Sequence, residues 1–592
     1  MQNIKERISA LRNEMKINDI AACIIPSSDP HASEYIADYW KEREWISGFN
    51  GSAGTVIITL TRAALWTDSR YFLQAENQLQ GSGMELMKEG LPETLSWTDW
   101  LAEELKNNEK VGLNAQMFSY NAFTHLKNEL NKKGISLIAV DLIGKIWKDR
   151  PALPSQPFYV YDIRYAGETA SNKLASLRAQ MKKNQADIFV LSALDEIAWL
   201  FNIRGSDVDF NPVVIAYAII KIDKATLFVD SKKVTEKTAA FLQEEGITIE
   251  PYNDIYSQLK KITEGKRVLI DGSKLNAALY EAIPQHCSII NTMSPVLKMK
   301  SVKNKIELEG TRWAMVKDGV ALVKFFKWLE ENILSSEISE ISAAEKLFEC
   351  RQQQENFVSE SFDTICGYAG HGAIVHYHAE PETDVVLKPD SLLLVDSGGQ
   401  YLDGTTDITR TIALGIPTQQ QKIDYTLVLK GHIALAKAKF PTNTRGSQLD
   451  ILAHKWLWEK GLNYGHGTGH GVGHFLCVHE GPQNIRMDEN PAVLLPGMII
   501  SDEPGLYRTN AYGIRIENLV LVVEDEKTEF GDFLCFETLT LFPYDRSLIE
   551  LSMLTEDEIN WINSYQKKVL EKLSLYLNEE EKIWLQKKCA SL

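Results

Sequence analysis

The chain has 592 residues, too many for one hydrophobic core, so roughly two to four domains are expected. Apolar residues make up 44% and charged residues 24%, which excludes a disordered or fibrous chain. A formal charge of -17 leaves no basic excess to neutralise phosphates and argues against a nucleic-acid partner.

The chain starts Met1-Gln-Asn-Ile-Lys-Glu-Arg7 and runs into an amphipathic helix pattern without the apolar core of a signal peptide. No stretch approaches the roughly 20 apolar residues of a membrane-spanning helix. The seven cysteines are scattered, odd in number and free of any CxxC, a pattern that fits reduced thiols. The expectation is a soluble cytoplasmic protein without a membrane partner.

An internal repeat follows. Ser9-Ala-Leu-Arg12 with Met15-Lys16 is echoed by Ser176-Leu-Arg178 with Met181-Lys182, and each copy leads into an apolar β-type run, Ile20–Ile25 and Ile188–Leu191. Trp45-Ile46 with Gly51-Ser52 is matched by Trp199-Leu200 with Gly205-Ser206, and Leu65-Trp-Thr-Asp-Ser69 by Leu227-Phe-Val-Asp-Ser231. The offset drifts while the order holds, which predicts two related α/β domains in tandem with loops of different length. Three prolines in Asp149–Pro157 predict an extended linker between them. The boundaries are placed at 1–155, 156–297 and 298–592.

Beyond Pro295–Asn304 the periodicity predicts helices over 305–331 and about 340–354. Strands are then expected at Ser391–Asp396 and Thr405–Ala413, with Asp403-Gly404 as the hairpin turn between them. Helices return near 420–440 and 446–460, strands at Met498–Glu503 and Gly513–Val523, and a charged helical tail runs from about 554. The third domain reads as α+β with mostly antiparallel strands.

Nine of the twelve histidines lie between residues 371 and 479, which marks this domain as the place to look for chemistry. On the expected hairpin Asp396 and Asp407 share a face, but a turn at Asp403-Gly404 leaves them roughly 13 Å apart along the strand, so a shared site needs a different turn or bulges. Gly465-His-Gly-Thr-Gly-His-Gly-Val-Gly473 has too many glycines for a helix; they let backbone approach a site closely and rule out a helical His pair at His466 and His470. Glu503 ends an apolar run before Pro504-Gly505, and Glu517 shares a strand face with Arg515. Taken alone, Glu517 could be balanced by Arg515 as an ion pair. Taken together, four carboxylates and one imidazole, Asp396, Asp407, His470, Glu503 and Glu517, suit two hard divalent ions, which roughly 3.5–4 Å apart can share a hydroxide nucleophile.

The order Asp, Asp, His, Glu, Glu, with the Gly-rich His loop ahead of the glutamates, resembles the pita-bread metallopeptidases. Within them, His466–Gly473 followed by Val478-His-Glu-Gly-Pro482 resembles the aminopeptidase P family. Ser47-Gly-Phe-Asn-Gly-Ser-Ala-Gly54, Trp66–Phe72, Leu194–Leu200 and Arg204-Gly-Ser-Asp207 extend the likeness to its long, three-domain form. The resemblance implies two tandem creatinase-type α/β domains before a pita-bread catalytic domain, and release of an N-terminal residue that precedes proline. It implies two divalent metal ions, manganese with zinc or cobalt as alternatives, held by Asp396, Asp407, His470, Glu503 and Glu517. Glu503 would act as general base, His376 and His479 would position substrate and stabilise the tetrahedral intermediate, His466 would line the proline pocket, and Arg515 would steer the carboxylates. It further implies peptide substrates and a homodimer formed through the catalytic domain. Gly367-Tyr-Ala-Gly-His371 departs from the family pattern. The alternatives are a prolidase-type dipeptidase and an inactive binding homologue.

Overall fold

The computed structural model describes residues 3–592; Met1 and Gln2, where the N-terminal reading begins, lie outside the described residues. The chain divides into two compact units, Met1–Asp162 with Glu168–Val296, and Ile163–Gly167 with Leu297–Leu592.

The first unit is built twice on one plan. The helix Ile4–Ile17 is opened by a capping box, in which the Asn3 side chain accepts the Glu6 N–H and the Glu6 carboxylate accepts the Asn3 N–H. Leu11 and Met15, four apart on one helix face, are fully buried. The helix leads into β1 (Ala22–Pro26), the centre of a sheet with β2 (Thr55–Thr59), β3 (Ala63–Thr67), β4 (Glu85–Lys88), β5 (Lys110–Leu113) and β6 (Ser136–Ala139) in the order β4-β3-β2-β1-β5-β6. β1 runs antiparallel to β2 and parallel to β5, and all its residues are buried, as an uninterrupted apolar run requires.

The second sheet repeats this order with Ile188–Leu191 in the place of β1: Ile247–Pro251, Ala225–Val229, Ala216–Lys221, Ile188–Leu191, Arg267–Ile270, Ser288–Asn291. Its parallel and antiparallel pairings are the same as those of the first. Trp66 on β3 and Phe228 on Ala225–Val229, aligned by the repeat, both stand in the core.

The second unit is α+β, and its strand pairings are antiparallel throughout the described residues. A long helix, Lys305–Asn332, shares its core with a three-stranded sheet of Ile365–Tyr368, Leu392–Ser397 and Ile408–Ala413. A six-stranded sheet has the order Lys439–Pro441, Gly531–Thr538, Asn518–Thr528, Ile499–Asp502, Gly469–Gly471, Glu480–Ile485. Helices Gln419–Ala436 and Gly446–Trp458, which pack on each other, follow the hairpin and precede the Gly-rich loop in the chain.

The charged tail folds as Glu556–Leu573 and Glu579–Lys588, and its apolar face is not left to solvent. Ile562, Val569 and Leu573 are buried in one core with Phe325, Val395 and Val428, each such side chain contributing about 1.5–3 kcal/mol of burial. Among the described residues no helix is long and apolar enough to cross a membrane.

Two expectations are corrected. The hairpin turns at Leu402-Asp403, one residue earlier than expected, because Tyr401 pairs with Gly404, Gln400 with Thr405 and Asp396 with Thr409. Asp403 is held there by Lys317 of the long helix, whose ammonium donates to both carboxylate oxygens at 2.6 and 2.8 Å. Gly404 is a strand residue. Its missing side chain answers to close approach, since a Cβ would lie 3.0 Å from the Thr311 Cα. The second correction concerns Gly513–Val523, which is broken at Ile516-Glu517 into Tyr512–Arg515 and Asn518–Thr528, strands of different sheets.

Candidate metal centre

The earlier turn brings the two aspartates together. In its register Asp407 lies diagonally across from Asp396 on the same face, two positions along the strand rather than four. Thr409, directly opposite Asp396, shares that face and donates its hydroxyl to Glu517 Oε2 at 2.8 Å. The Glu517 N–H donates to the Thr409 carbonyl at 3.1 Å, which draws the strand break onto the hairpin.

The Gly-rich loop supplies His470 from the short strand Gly469–Gly471, wedged between two others. A Cβ on Gly469 would meet the Ser501 carbonyl at 2.0 Å and one on Gly471 the Glu480 carbonyl at 2.3 Å, so glycine is what lets the backbones close around His470. His470 Nδ1 lies 2.9 Å from the Gly471 carbonyl, which places the proton on Nδ1 and leaves Nε2 as a ligand atom. Nε2 faces Asp407 Oδ2 at 3.4 Å and Glu503 Oε1 at 3.6 Å. These separations are long for hydrogen bonds. They match the spacing of two ligand atoms that each lie about 2.1 Å from one ion. Asp407, His470 and Glu517 each offer a ligand atom, all within 4.8 Å of one another.

Arg515 neutralises only one of the four carboxylates. Its Nε and Nη2 donate to Asp396 Oδ2 at 3.0 and 2.6 Å, so the Arg515 partner is Asp396 and not Glu517. Nη1 donates to the Tyr507 hydroxyl at 2.7 Å and Nη2 to the Val375 carbonyl at 3.3 Å, which ties the turn bearing His376 to the same guanidinium. Tyr507 Oη also lies 2.8 Å from His466 Nε2. The exposed His479 ring meets the His470 ring edge to face, with centroids 4.3 Å apart.

The electrostatics are those of a site with more negative than positive charge. Burial pushes the Glu517 carboxyl well above its ordinary range, and Asp407, Asp396 and Glu503 add to the rise. Burial also raises Asp396 against the pull of Arg515. Burial lifts Glu503 to about 7 despite the opposing charges of His470 and Arg515. For His470 burial acts downward, but the carboxylates of Asp407 and Glu503 outweigh it and hold the imidazole up at about 9. Asp396 Oδ1 and Asp407 Oδ1 are buried without a hydrogen-bond partner, a costly state for carboxylate oxygens unless a cation takes them. An oxygen-rich set with one imidazole therefore fits hard divalent ions.

The structure thus gathers Asp396, Asp407, His470, Glu503, Glu517 and Arg515, with His466 reached through Tyr507, His376 next to the Arg515-bound Val375, and His479 against His470. Sequence reasoning missed Tyr507 and Thr409. Strand alternation from Arg515 across its pairing with Gly505 would have placed Tyr507 on the site face. Thr409 follows from Asp407 by the same rule.

The chain is similar to known proteins over its whole length. Residues 309–524 match metallopeptidase family M24 and 532–592 the C-terminal region of peptidase M24, while 7–148 and 149–307 each match a Creatinase/Prolidase N-terminal domain. The chain belongs to the M24 metallopeptidases, in the Xaa-Pro aminopeptidase P group that carries two creatinase-type domains ahead of the pita-bread domain. It is 42% identical to a probable Xaa-Pro aminopeptidase P of Botryotinia fuckeliana, over 100% of this chain and 93% of the relative. It is 43% identical to Xaa-Pro aminopeptidase 1 of Dictyostelium discoideum, over 96% and 93%. The X-prolyl aminopeptidase of Caenorhabditis elegans, a cytosolic enzyme with a di-nuclear active site, is 35% identical and superposes with a TM-score of 0.95 over 100% of both chains.

Proposed function

We propose that this chain is a metal-dependent aminopeptidase that releases the N-terminal residue from peptides with proline in the second position. The observation that carries the proposal is the buried cluster of four carboxylates and one imidazole, with its two partnerless aspartate oxygens, in a chain similar from end to end to Xaa-Pro aminopeptidases. Asp396, Asp407, His470, Glu503 and Glu517 would hold two divalent ions, manganese by preference with zinc or cobalt as alternatives. Such ions supply Lewis-acid polarisation of the scissile carbonyl and activation of water.

The remaining chemistry belongs to side chains. An Xaa-Pro bond is a tertiary amide without an N–H, so the site must recognise its carbonyl oxygen and the proline ring. His376 and His479 are assigned to orient that carbonyl and stabilise the oxyanion, and His466, held by Tyr507, to line the ring pocket. Glu503 is assigned as general base. Its carboxylate would take the proton from water and return it to the departing proline nitrogen. Arg515 fixes Asp396 so that its free oxygen faces the cluster. The domain division 1–155, 156–297 and 298–592, a cytoplasmic location and a homodimer through the catalytic domain belong to the same reading.

Turnover of Xaa-Pro-Xaa tripeptides against Xaa-Pro dipeptides tests it. Cleavage of tripeptides supports the aminopeptidase, and cleavage of dipeptides alone would make the chain a prolidase. An inactive binding homologue would purify without stoichiometric metal.

A further inference from the structure

Three of the ligand-bearing segments share a second feature, on the side facing away from the carboxylate cluster. Successive strand residues point to opposite faces. Next to Glu503 stands Asp502, next to Glu517 stands Asn518, and three residues after Asp407 stands Arg410. All three are buried. They converge on one polar network that joins His432 of the helix Gln419–Ala436 to Phe542, Pro543, Tyr544 and Tyr565 of the C-terminal region.

Arg410 is its hub. Nη1 donates to the Glu517 carbonyl at 2.6 Å and to the Thr409 carbonyl at 2.9 Å. Nη2 donates to Asn518 Oδ1 at 2.8 Å, to the Phe542 carbonyl at 2.7 Å and to the Tyr565 hydroxyl at 3.1 Å, and Nε to the Pro543 carbonyl at 3.2 Å. A second branch starts at the Asp502 carbonyl, 3.1 Å from His432 Nδ1. Nε2 of that ring lies 2.9 Å from the Tyr544 hydroxyl, which in turn accepts the Asn518 amide at 2.8 Å. The backbone of Glu517, held by Arg410, and that of Asp502, next to Glu503 and held by His432, are therefore tied to Tyr565 and Tyr544.

We propose that the C-terminal region, residues 532–592, is a positioning element of the metal centre, acting through the Tyr544 and Tyr565 hydroxyls on the back faces of the strands that adjoin Asp407, Glu503 and Glu517. This rests on the metal-centre reading above. Two cations close together tolerate little error in ligand placement, and the groups that orient ligands are accordingly worth about 10–100-fold in metal affinity. Phe542, Pro543, Tyr544 and Tyr565 supply that orientation through Arg410, Asn518 and His432.

Tyr544→Phe and Tyr565→Phe, singly and together, remove only oxygen atoms and leave the rings packed. The full metal-free chain is titrated with manganese by calorimetry, with thermal melting of the metal-free form as a parallel readout. The expected result is about 10-fold weaker manganese binding in the double variant, an intermediate loss in the singles, and turnover that recovers at saturating manganese. Manganese affinity equal to wild type, whether or not the melting temperature falls, would overturn the proposal and leave the tyrosines a merely structural role. A wild-type chain that takes up no manganese would instead overturn the metal-centre reading on which it rests.

Discussion

Replacing Glu503 by Gln removes one negative charge from a buried cluster in which four carboxylates face one guanidinium and one imidazole. In the metal-free chain the Glu503 carboxyl is lifted from its ordinary 4.5 to about 7. A carboxyl raised on folding keeps its proton in the native state at pH values where the unfolded chain has released it. Stability therefore falls as pH rises from about 4.5 through about 7, and the full penalty applies above that. The shift corresponds to about 3 kcal/mol, and for a unit of this size to roughly 5 °C in melting temperature. Glu503→Gln escapes this penalty. By calorimetric melting of the metal-free protein, the variant should melt higher than wild type at pH 8, and the difference should vanish below about pH 4.5. With saturating manganese the order should invert, because wild type gains the binding free energy and the variant has lost a ligand and the base. A metal-free variant that melts lower than wild type at pH 8 would refute the reasoning, since Glu503 would then be favourably paired without a cation.

Metal loading at pH 7 should release more than one proton, because His470, held at about 9, and the strongly raised Glu517 must both deprotonate to bind; calorimetry in two buffers of different ionisation enthalpy measures the count. Arg515→Gln should weaken metal binding by about 10–100-fold by freeing Asp396, as read by manganese titration. His466→Ala should raise KM on Xaa-Pro-Xaa substrates more than it lowers kcat, and Tyr507→Phe should reproduce part of that effect through the lost 2.8 Å contact. Leu573→Ala, deep in the core the tail shares with the long helix, should cost about 2–5 kcal/mol in denaturant unfolding.

The tandem repeat was legible because both copies keep apolar side chains at the positions that face the core, Leu11 with Leu177 and Trp66 with Phe228, while only the loops drifted. The identity of the cluster residues was legible too. A carboxylate in an apolar run, as at Asp396 and Glu503, is tolerated only when a partner or a cation balances it, and glycines around His470 mark backbone drawn close to a site. The hairpin register was not legible. Asp403-Gly404 carries the local signature of a turn, but the turn is set by Lys317 reaching Asp403 from a helix 86 residues away and by that helix pressing on Gly404. No local pattern contains that information. The break at Ile516-Glu517 was hidden for a similar reason: its apolar alternation is that of a strand, and only pairing with Thr409 from the hairpin pulls it out of line. The tail read as charged and helical because its polar face dominates the composition, whereas Tyr565, Val569 and Leu573 define a buried stripe.

The central claim is that five side chains from separate segments of the chain hold a pair of cations. Anomalous diffraction at the manganese edge, from crystals grown with the metal, tests it most directly. Two peaks roughly 3.5–4 Å apart, bounded by Asp396, Asp407, His470, Glu503 and Glu517, are predicted. A single peak, or peaks bound elsewhere with these carboxylates left empty, would contradict it.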